Sequence, residues 1–193
     1  MVHFKVLGNN IRIHFEVHGE GERSDASHGL KASDFSLFFF NEAMNIYLQL
    51  PKHLSEWLRH EYGDEQGVVR LPNGCAEHDV MEMLMEKWPD DVPVETMGEG
   101  KTAIHIPEFK ARKPEYYNYL TPYGKKMLTH VIYVRFRIQL WNDLHSLEKF
   151  HLPITDAIYD WMERHGIEPV EKSWESIRQM YFRQRKQYKP KKK

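Results

Sequence analysis

Apolar and polar residues alternate at the start of the chain, which is the pattern of a half-buried β-strand. Two alternating runs, residues 2–6 and 11–17, lie on either side of Gly8, Asn9 and Asn10, whose backbones tolerate positive φ angles. The pattern predicts an N-terminal β-hairpin. Residues 19–34 are rich in Gly, Ser, Asp and Glu and have no periodicity, so we expect a mobile loop there.

Short apolar runs and two amphipathic segments follow this loop. Residues 35–40, 44–50 and 102–106 are each short enough for a strand. Apolar residues at spacings of three and four predict one helix between Pro51 and Gly63, and another that Pro89 closes. These elements predict an α+β fold with an N-terminal β-hairpin, a small antiparallel sheet and two short helices.

The second half of the chain has a helical pattern. Thr121 and Pro122 form a good start for a helix, and no Pro or Gly occurs between Lys125 and Leu152. We therefore predict one long helix at the centre of the molecule, with two rows of apolar residues. The rows are Leu128, Ile132, Phe136, Leu140 and Leu144, and Val131, Val134, Ile138 and Trp141. A C-terminal helical module follows, with helices at about residues 154–165 and 174–188.

The change from mixed to helical pattern predicts the domain organisation. Residues 1–113 are expected to form an α+β domain, and residues 114–189 a helical region that ends in a basic two-helix module. Residues 190–193 are a lysine-rich tail. With 193 residues, of which 41% are hydrophobic, the chain is large enough for one substantial core.

The net charge of −1 conceals an uneven distribution. Residues 172–193 contain nine of the 27 Lys and Arg residues and one of the 28 Asp and Glu residues, which gives this segment a charge of +8. The rest of the chain, with 18 basic and 27 acidic residues, carries −9. An acidic body with a basic end suggests a polyanionic partner at that end.

The last helix is the strongest candidate for a binding site. Trp174, Ile177, Tyr181 and Tyr188 are expected to pack inward and leave the cations on other faces. The predicted nucleic-acid-binding residues are Arg178, Gln179, Arg183, Arg185, Lys186, Lys189, Lys191, Lys192 and Lys193. With the helix before it, this segment resembles the general plan of a helix-turn-helix unit, although the connection is longer than the usual turn.

This pattern predicts a non-enzymatic nucleic-acid-binding protein, with duplex DNA favoured over RNA, because cations on one helical face suffice for contacts with phosphates. The alternative is a structural or assembly protein whose basic tail docks on an acidic partner or on packaged nucleic acid. An enzyme with a dispersed active site is the third interpretation. For the last helix alone, the competing interpretation is a solvated terminal helix whose cations suit the negative end of its dipole.

Residues 109–119 combine three cations with three tyrosines, which is typical of some single-stranded nucleic-acid sites. The competing interpretation is a connector whose tyrosines pack inward while its cations reach solvent. We favour the connector because tyrosine is often a core residue with a polar tip.

Candidate metal and catalytic residues are few. Cys75, His78, Asp79 and Glu82 lie near a predicted helix start, but no second Cys pair completes a structural zinc site. His145, Glu148 and His151 are spaced three apart. The acidic neighbours of Cys75 do not favour a reactive thiolate. The sequence therefore predicts no metal, no cofactor and no catalytic residue.

The remaining expectations concern location and partners. The single cysteine excludes an internal disulfide and favours the cytoplasm. The sequence contains no run of about 18 apolar residues, which a membrane span requires, so no membrane partner is expected. The N-terminal domain is a candidate surface for a protein partner or for self-association.

Overall fold

A computed structural model of the protein describes residues 3–7, 10–14, 44–93, 95–147 and 153–188. Contacts between Cα atoms divide the chain into two units, Met1–Phe35 and Ser36–Lys193. In the first unit, β1 (His3–Leu7) and β2 (Asn10–His14) pair antiparallel, which confirms the predicted hairpin. The predicted loop at residues 19–34 and the strand at 35–40 lie outside the described residues.

Three pairs of short antiparallel strands and five helices make up the described part of the chain, which confirms the α+β class. In the second unit the elements are β3 (Asn45–Gln49), α1 (Lys52–Tyr62), α2 (Ala76–Leu84), β4 (Met85–Glu86), β5 (Lys101–His105), β6 (Tyr119–Leu120), α3 (Pro122–Leu147), α4 (Ile154–Arg164) and α5 (Glu171–Tyr188). β3 pairs with β5, with Ile46 opposite Ile104, and β4 pairs with β6.

The ends of the first two helices have different causes. α1 follows Pro51 and ends at Gly63, as predicted, where the Gly63 N–H bonds the Arg59 carbonyl. α2 ends at Leu84, earlier than the predicted stop at Pro89. The reason is that β4 takes an extended conformation and forms backbone hydrogen bonds with β6, a partner that the local pattern cannot reveal.

The pair β3 and β5 is covered on both faces. All three central residues of each strand are buried, which means that each strand contributes side chains to both sides. Thr102 is the polar residue among them, and its hydroxyl pairs with that of Ser55 at 2.7 Å. Val69 extends the pairing by exchanging backbone hydrogen bonds with β5. The buried polar groups named here are therefore satisfied.

One row of α3 forms the centre of the core. Leu128, Ile132, Phe136, Leu140 and Leu144 are all fully buried, as the spacing predicts. The second row does not match the prediction, because its members are half-buried or, in the case of Ile138, 53% exposed. α3 is thus buried along one side. The core closes around that side, so the second row lies at its edge.

Aromatic contacts join α3 to two other helices. The Phe136 ring meets Trp57 of α1 edge-on at 5.3 Å between centroids, and Trp161 of α4 at 5.4 Å. Residues on both sides of position 113 contribute to this hydrophobic cluster. The domain boundary predicted at that position stays a prediction.

Replacement of Phe136 by Ala should lower the free energy of unfolding by about 3–5 kcal/mol, because the lost ring leaves a cavity between two tryptophans. The matched control is Ile138→Ala on the same helix, which should change stability by less than about 0.5 kcal/mol because that side chain is exposed. Urea unfolding of both variants measures the difference. Equal effects would contradict a one-sided core.

Buried His53 should make stability depend on pH. The residue is 8% exposed, and its ring centroid lies 5.7 Å from that of Phe136. Burial lowers the pKa of His53 below its ordinary value. The unfolded chain then binds a proton that the folded chain resists, so stability should fall as the pH drops below about 6.5.

Thermal melts between about pH 7.5 and pH 5 measure this dependence. Burial also lowers the pKa of His105, which acts in the same direction. The variant His53→Gln should therefore flatten the dependence only in part, and the double variant with His105→Gln should flatten it further. A dependence that neither replacement alters would show that other groups cause it.

Candidate nucleic-acid interface

α5 is anchored to the body by one face. Its buried side chains are Ser173, Ile177, Met180, Tyr181 and Gln184. This confirms the predicted inward face at Ile177 and Tyr181, both of which are fully buried. α5 packs on α3 and on α4, and these two also pack on each other. The three helices therefore hold the backbone of α5 in place.

The aromatic residues at the two ends of α5 depart from the prediction. Trp174 is half-buried and stacks on Tyr159 of α4 at 5.6 Å. Tyr188 is 66% exposed, and it lies against Trp141 of α3 at 5.0 Å. Trp141 itself is half-buried rather than inside the core. The predicted inward row thus holds in the middle of α5 and reaches the surface at its end.

Three of the predicted binding residues share the exposed face of α5. Gln179, Arg183 and Lys186 are all exposed, and their spacing of four and three residues places them on one side of the helix. The Arg183 guanidinium lies 3.4 Å from the amide oxygen of Gln179. This face presents two cations and one amide to solvent, directly before the lysine-rich tail.

Glu175 engages two of the predicted residues. Arg178 donates to both of its carboxylate oxygens at 3.1 and 3.2 Å, and Gln179 donates at 3.0 Å. The hydrogen bond from Gln179, and next the contact with Arg178, lower the pKa of Glu175. Arg178 is also within 5.5 Å of the Trp174 and Phe182 ring centroids. Glu175 therefore orients the Arg178 side chain and offsets part of its positive charge.

Of the remaining predicted binding residues, Arg185 alone lies within the described part of the chain. Arg185 is half-buried and has a contact within the protein. Lys189, Lys191, Lys192 and Lys193 lie outside the described residues. Among the described side chains of the predicted site, Arg183 and Lys186 are therefore the cations that face solvent.

The net charge of α5 rises along the helix. Its first half contains two acids and two bases, Glu171, Glu175, Lys172 and Arg178, whereas its second half contains three cations and no acid, Arg183, Arg185 and Lys186. A recognition helix in the major groove contacts base edges with its N-terminal residues, and the acids of α5 lie at that end. The arrangement suits contacts with phosphates by the C-terminal half better than insertion of the N-terminal half.

Residues 109–119 have structural contacts that favour the connector interpretation. Phe109 is 5% exposed. Arg112 Nη1 lies 2.9, 3.0 and 2.7 Å from the carbonyl oxygens of Glu82, Met83 and Met85, where α2 gives way to β4. This guanidinium therefore caps carbonyls at the end of α2.

The variant Arg112→Gln should lower the free energy of unfolding by about 1–3 kcal/mol, since those carbonyls lose their shared donor. Lys113→Gln is the matched control, because Lys113 is exposed in the same segment. Chemical unfolding compares the two. If Arg112→Gln leaves stability unchanged but weakens binding to single-stranded DNA, the connector interpretation is wrong.

Cys75 caps the start of α2 through its sulfur. Its sulfur accepts the His78 N–H at 3.4 Å, and burial raises the pKa of its thiol. The His78 ring is packed edge-on against Phe109 at 5.2 Å. Neither residue belongs to the one group of the described residues whose ligand atoms are close enough to hold a metal.

That group is formed by His60, Glu61 and His165, whose ligand atoms all lie within 4.8 Å of one another. No sequence pattern indicates this group, because residues 61 and 165 are 104 positions apart and no ligand spacing links them. The only local signal is the adjacency of His60 and Glu61 at the end of α1. Packing of α1 against the end of α4 creates the group.

No protein-family model, curated protein or solved structure matches this chain. Within the described ranges, none of the helices has the length and apolar character needed to cross a bilayer.

Proposed function

We propose that this protein is a non-enzymatic nucleic-acid-binding protein, and that the C-terminal half of α5 and the tail after it contact phosphates. The observation that carries the proposal is the division of α5 into a buried apolar face and an exposed face with Arg183 and Lys186. Cations fixed at intervals on a rigid surface can neutralise phosphates without reading sequence.

The packing of α5 supports this proposal. Because Ile177 and Tyr181 are fully buried, the helix cannot move away from the body without exposing core residues. The cations on its outer face therefore project from a fixed backbone, which reduces the entropy lost when they contact a phosphate. Four further lysines, Lys189, Lys191, Lys192 and Lys193, follow α5 directly in the sequence.

Duplex DNA is the proposed binding partner. Proteins that bind single strands without sequence preference combine cations with exposed aromatic rings on which bases stack. The exposed face of Gln179, Arg183 and Lys186 contains no ring. Tyr188 at the end of α5 is 66% exposed but is stacked on Trp141, and Trp174 is stacked on Tyr159. This arrangement suits the backbone of a duplex.

The test compares the whole protein with the double variant Arg183→Gln/Lys186→Gln on labelled duplex DNA at several salt concentrations. We expect weaker binding to all sequences. The slope of log affinity against log salt should become shallower by about 0.9 for each phosphate contact that is lost. A variant that ends at Tyr188 measures how much the tail contributes to the affinity. Removal of all of α5 is not a clean test, because it would expose the core.

Lys126→Gln/Arg164→Gln is the matched control, since it removes the same residue types from exposed positions on α3 and α4. If both double variants weaken binding equally, affinity arises from overall charge and the proposed surface is wrong. Stronger binding to RNA than to duplex DNA would show that RNA is the preferred partner. Absence of binding to either nucleic acid at low salt would favour docking of the basic end on an acidic protein partner.

Two further expectations accompany this proposal. A cytoplasmic location rests on the cysteine content alone, and a protein partner or self-association through residues 1–113 rests on the predicted domain organisation. Both stay predictions.

A further inference from the structure

The end of α1 meets the end of α4 at a polar cluster that the proposed function does not use. His60 and Glu61 lie in the last turn of α1, and His165 follows the last residue of α4. We propose that His60, Glu61 and His165 form a binding site for a divalent transition-metal ion, with zinc as the best fit, and that Asp143 orients His165 from behind.

The distances suit a common set of ligands. His165 Nδ1 lies 3.1 Å from Glu61 Oε1, and His60 Nδ1 lies 3.9 Å from the same oxygen. Ligand atoms around tetrahedral zinc are about 3.3 Å apart, as bond lengths of about 2.0–2.1 Å require. The His60 side chain is 48% exposed, so a small rotation of its imidazole can close the remaining gap.

Asp143 completes the arrangement behind His165. Its Oδ2 lies 3.4 Å from His165 Nε2 and accepts a hydrogen bond from Trp161 Nε1 at 2.9 Å. An imidazole that binds metal through one nitrogen usually donates its other N–H to a carboxylate, which fixes the tautomer. The 3.4 Å separation places Asp143 close to Nε2, and the tautomer protonated at Nε2 leaves the lone pair of Nδ1 for a metal ion.

Gln139 also lies next to this nitrogen. Its side-chain nitrogen is 3.5 Å from His165 Nδ1, which has a single lone pair in the tautomer protonated at Nε2. A metal ion bound by Nδ1 would replace the amide as the partner of that lone pair. With that tautomer, Nδ1 and Glu61 Oε1 are two acceptors 3.1 Å apart, and they need a cation between them. Either a proton or a metal ion can fill this role, and only a metal ion would also use His60.

Gly166 allows the two histidines to approach each other. It has a φ of +63°, and a Cβ atom there would lie 2.6 Å from the His60 ring. A neighbouring ion pair between Lys52 and Glu168 joins the start of α1 to the same loop. These contacts place the loop that contains His165 beside α1, which brings the side chains of His60 and His165 close together.

The ligand types decide the metal. Two imidazoles and one carboxylate favour zinc and related transition metals, whereas magnesium and calcium prefer sites made of oxygen. Three protein ligands leave a fourth position for water or a small anion. The exposure of His60 places that position toward solvent. This inference does not depend on nucleic-acid binding, because none of the three ligands belongs to α5.

The experiment measures Zn²⁺ binding by the whole protein, stripped of metal with a chelator, in competition with a zinc indicator. We expect one zinc per chain at this site. The variants His60→Gln and Glu61→Gln should each weaken binding at least about tenfold, and Asp143→Asn should do so by about 10- to 100-fold. Circular dichroism and thermal melts without metal confirm that each variant is folded.

The control is His130→Gln, which removes an exposed histidine on α3 outside the cluster and should leave the affinity unchanged. Zinc should also raise the melting temperature of the wild-type protein and not that of His60→Gln. Unchanged zinc affinity in His60→Gln would overturn the proposal and assign the contact between His165 and Glu61 to a proton. Absence of micromolar zinc binding by the wild-type protein would overturn it equally.

Discussion

The described part of the second unit depends on the burial of one row of α3. The Phe136 ring lies between Trp57 of α1 and Trp161 of α4, and the four other residues of the row are fully buried with it. Burying such a row stabilises the fold through lost contact between apolar surface and water. It also packs α1, α4 and α5 against α3. Both candidate sites lie on helices that pack against α3.

The position of α5 on that axis explains how charge can be displayed without loss of stability. Repulsion among cations would oppose the formation of an isolated helix, but the buried contacts of Ile177 and Tyr181 hold α5 in place. In the first half of α5, Glu175 pairs with Arg178. In the second half, Arg183 and Lys186 remain on the exposed face.

The polar cluster at the ends of α1 and α4 follows from the same packing. Trp161 is fully buried against Phe136 and still directs its indole N–H to Asp143 at the edge of the core. Asp143 in turn faces His165, and the ring of His165 lies 4.4 Å from that of Trp161. The aromatic core therefore sets the orientation of a histidine at the surface. A core side chain with a polar tip links packing to chemistry in this way.

The sequence by itself determined the elements whose signals are local. The alternation before Gly8, the helix starts at Pro51 and Pro122, the buried row of α3 and the two C-terminal helices all follow from periodicity and capping. Local signals also located the basic end, since charge composition needs no fold. Only the tertiary structure decided that α2 stops at Leu84 and that Ile138 faces solvent. It also decided that Glu175 forms an ion pair with Arg178, and that His165 contacts Glu61. Each of these depends on a partner distant in sequence or on the other side of the helix, and a hydrophobic pattern records which residues avoid water without recording which residues they meet.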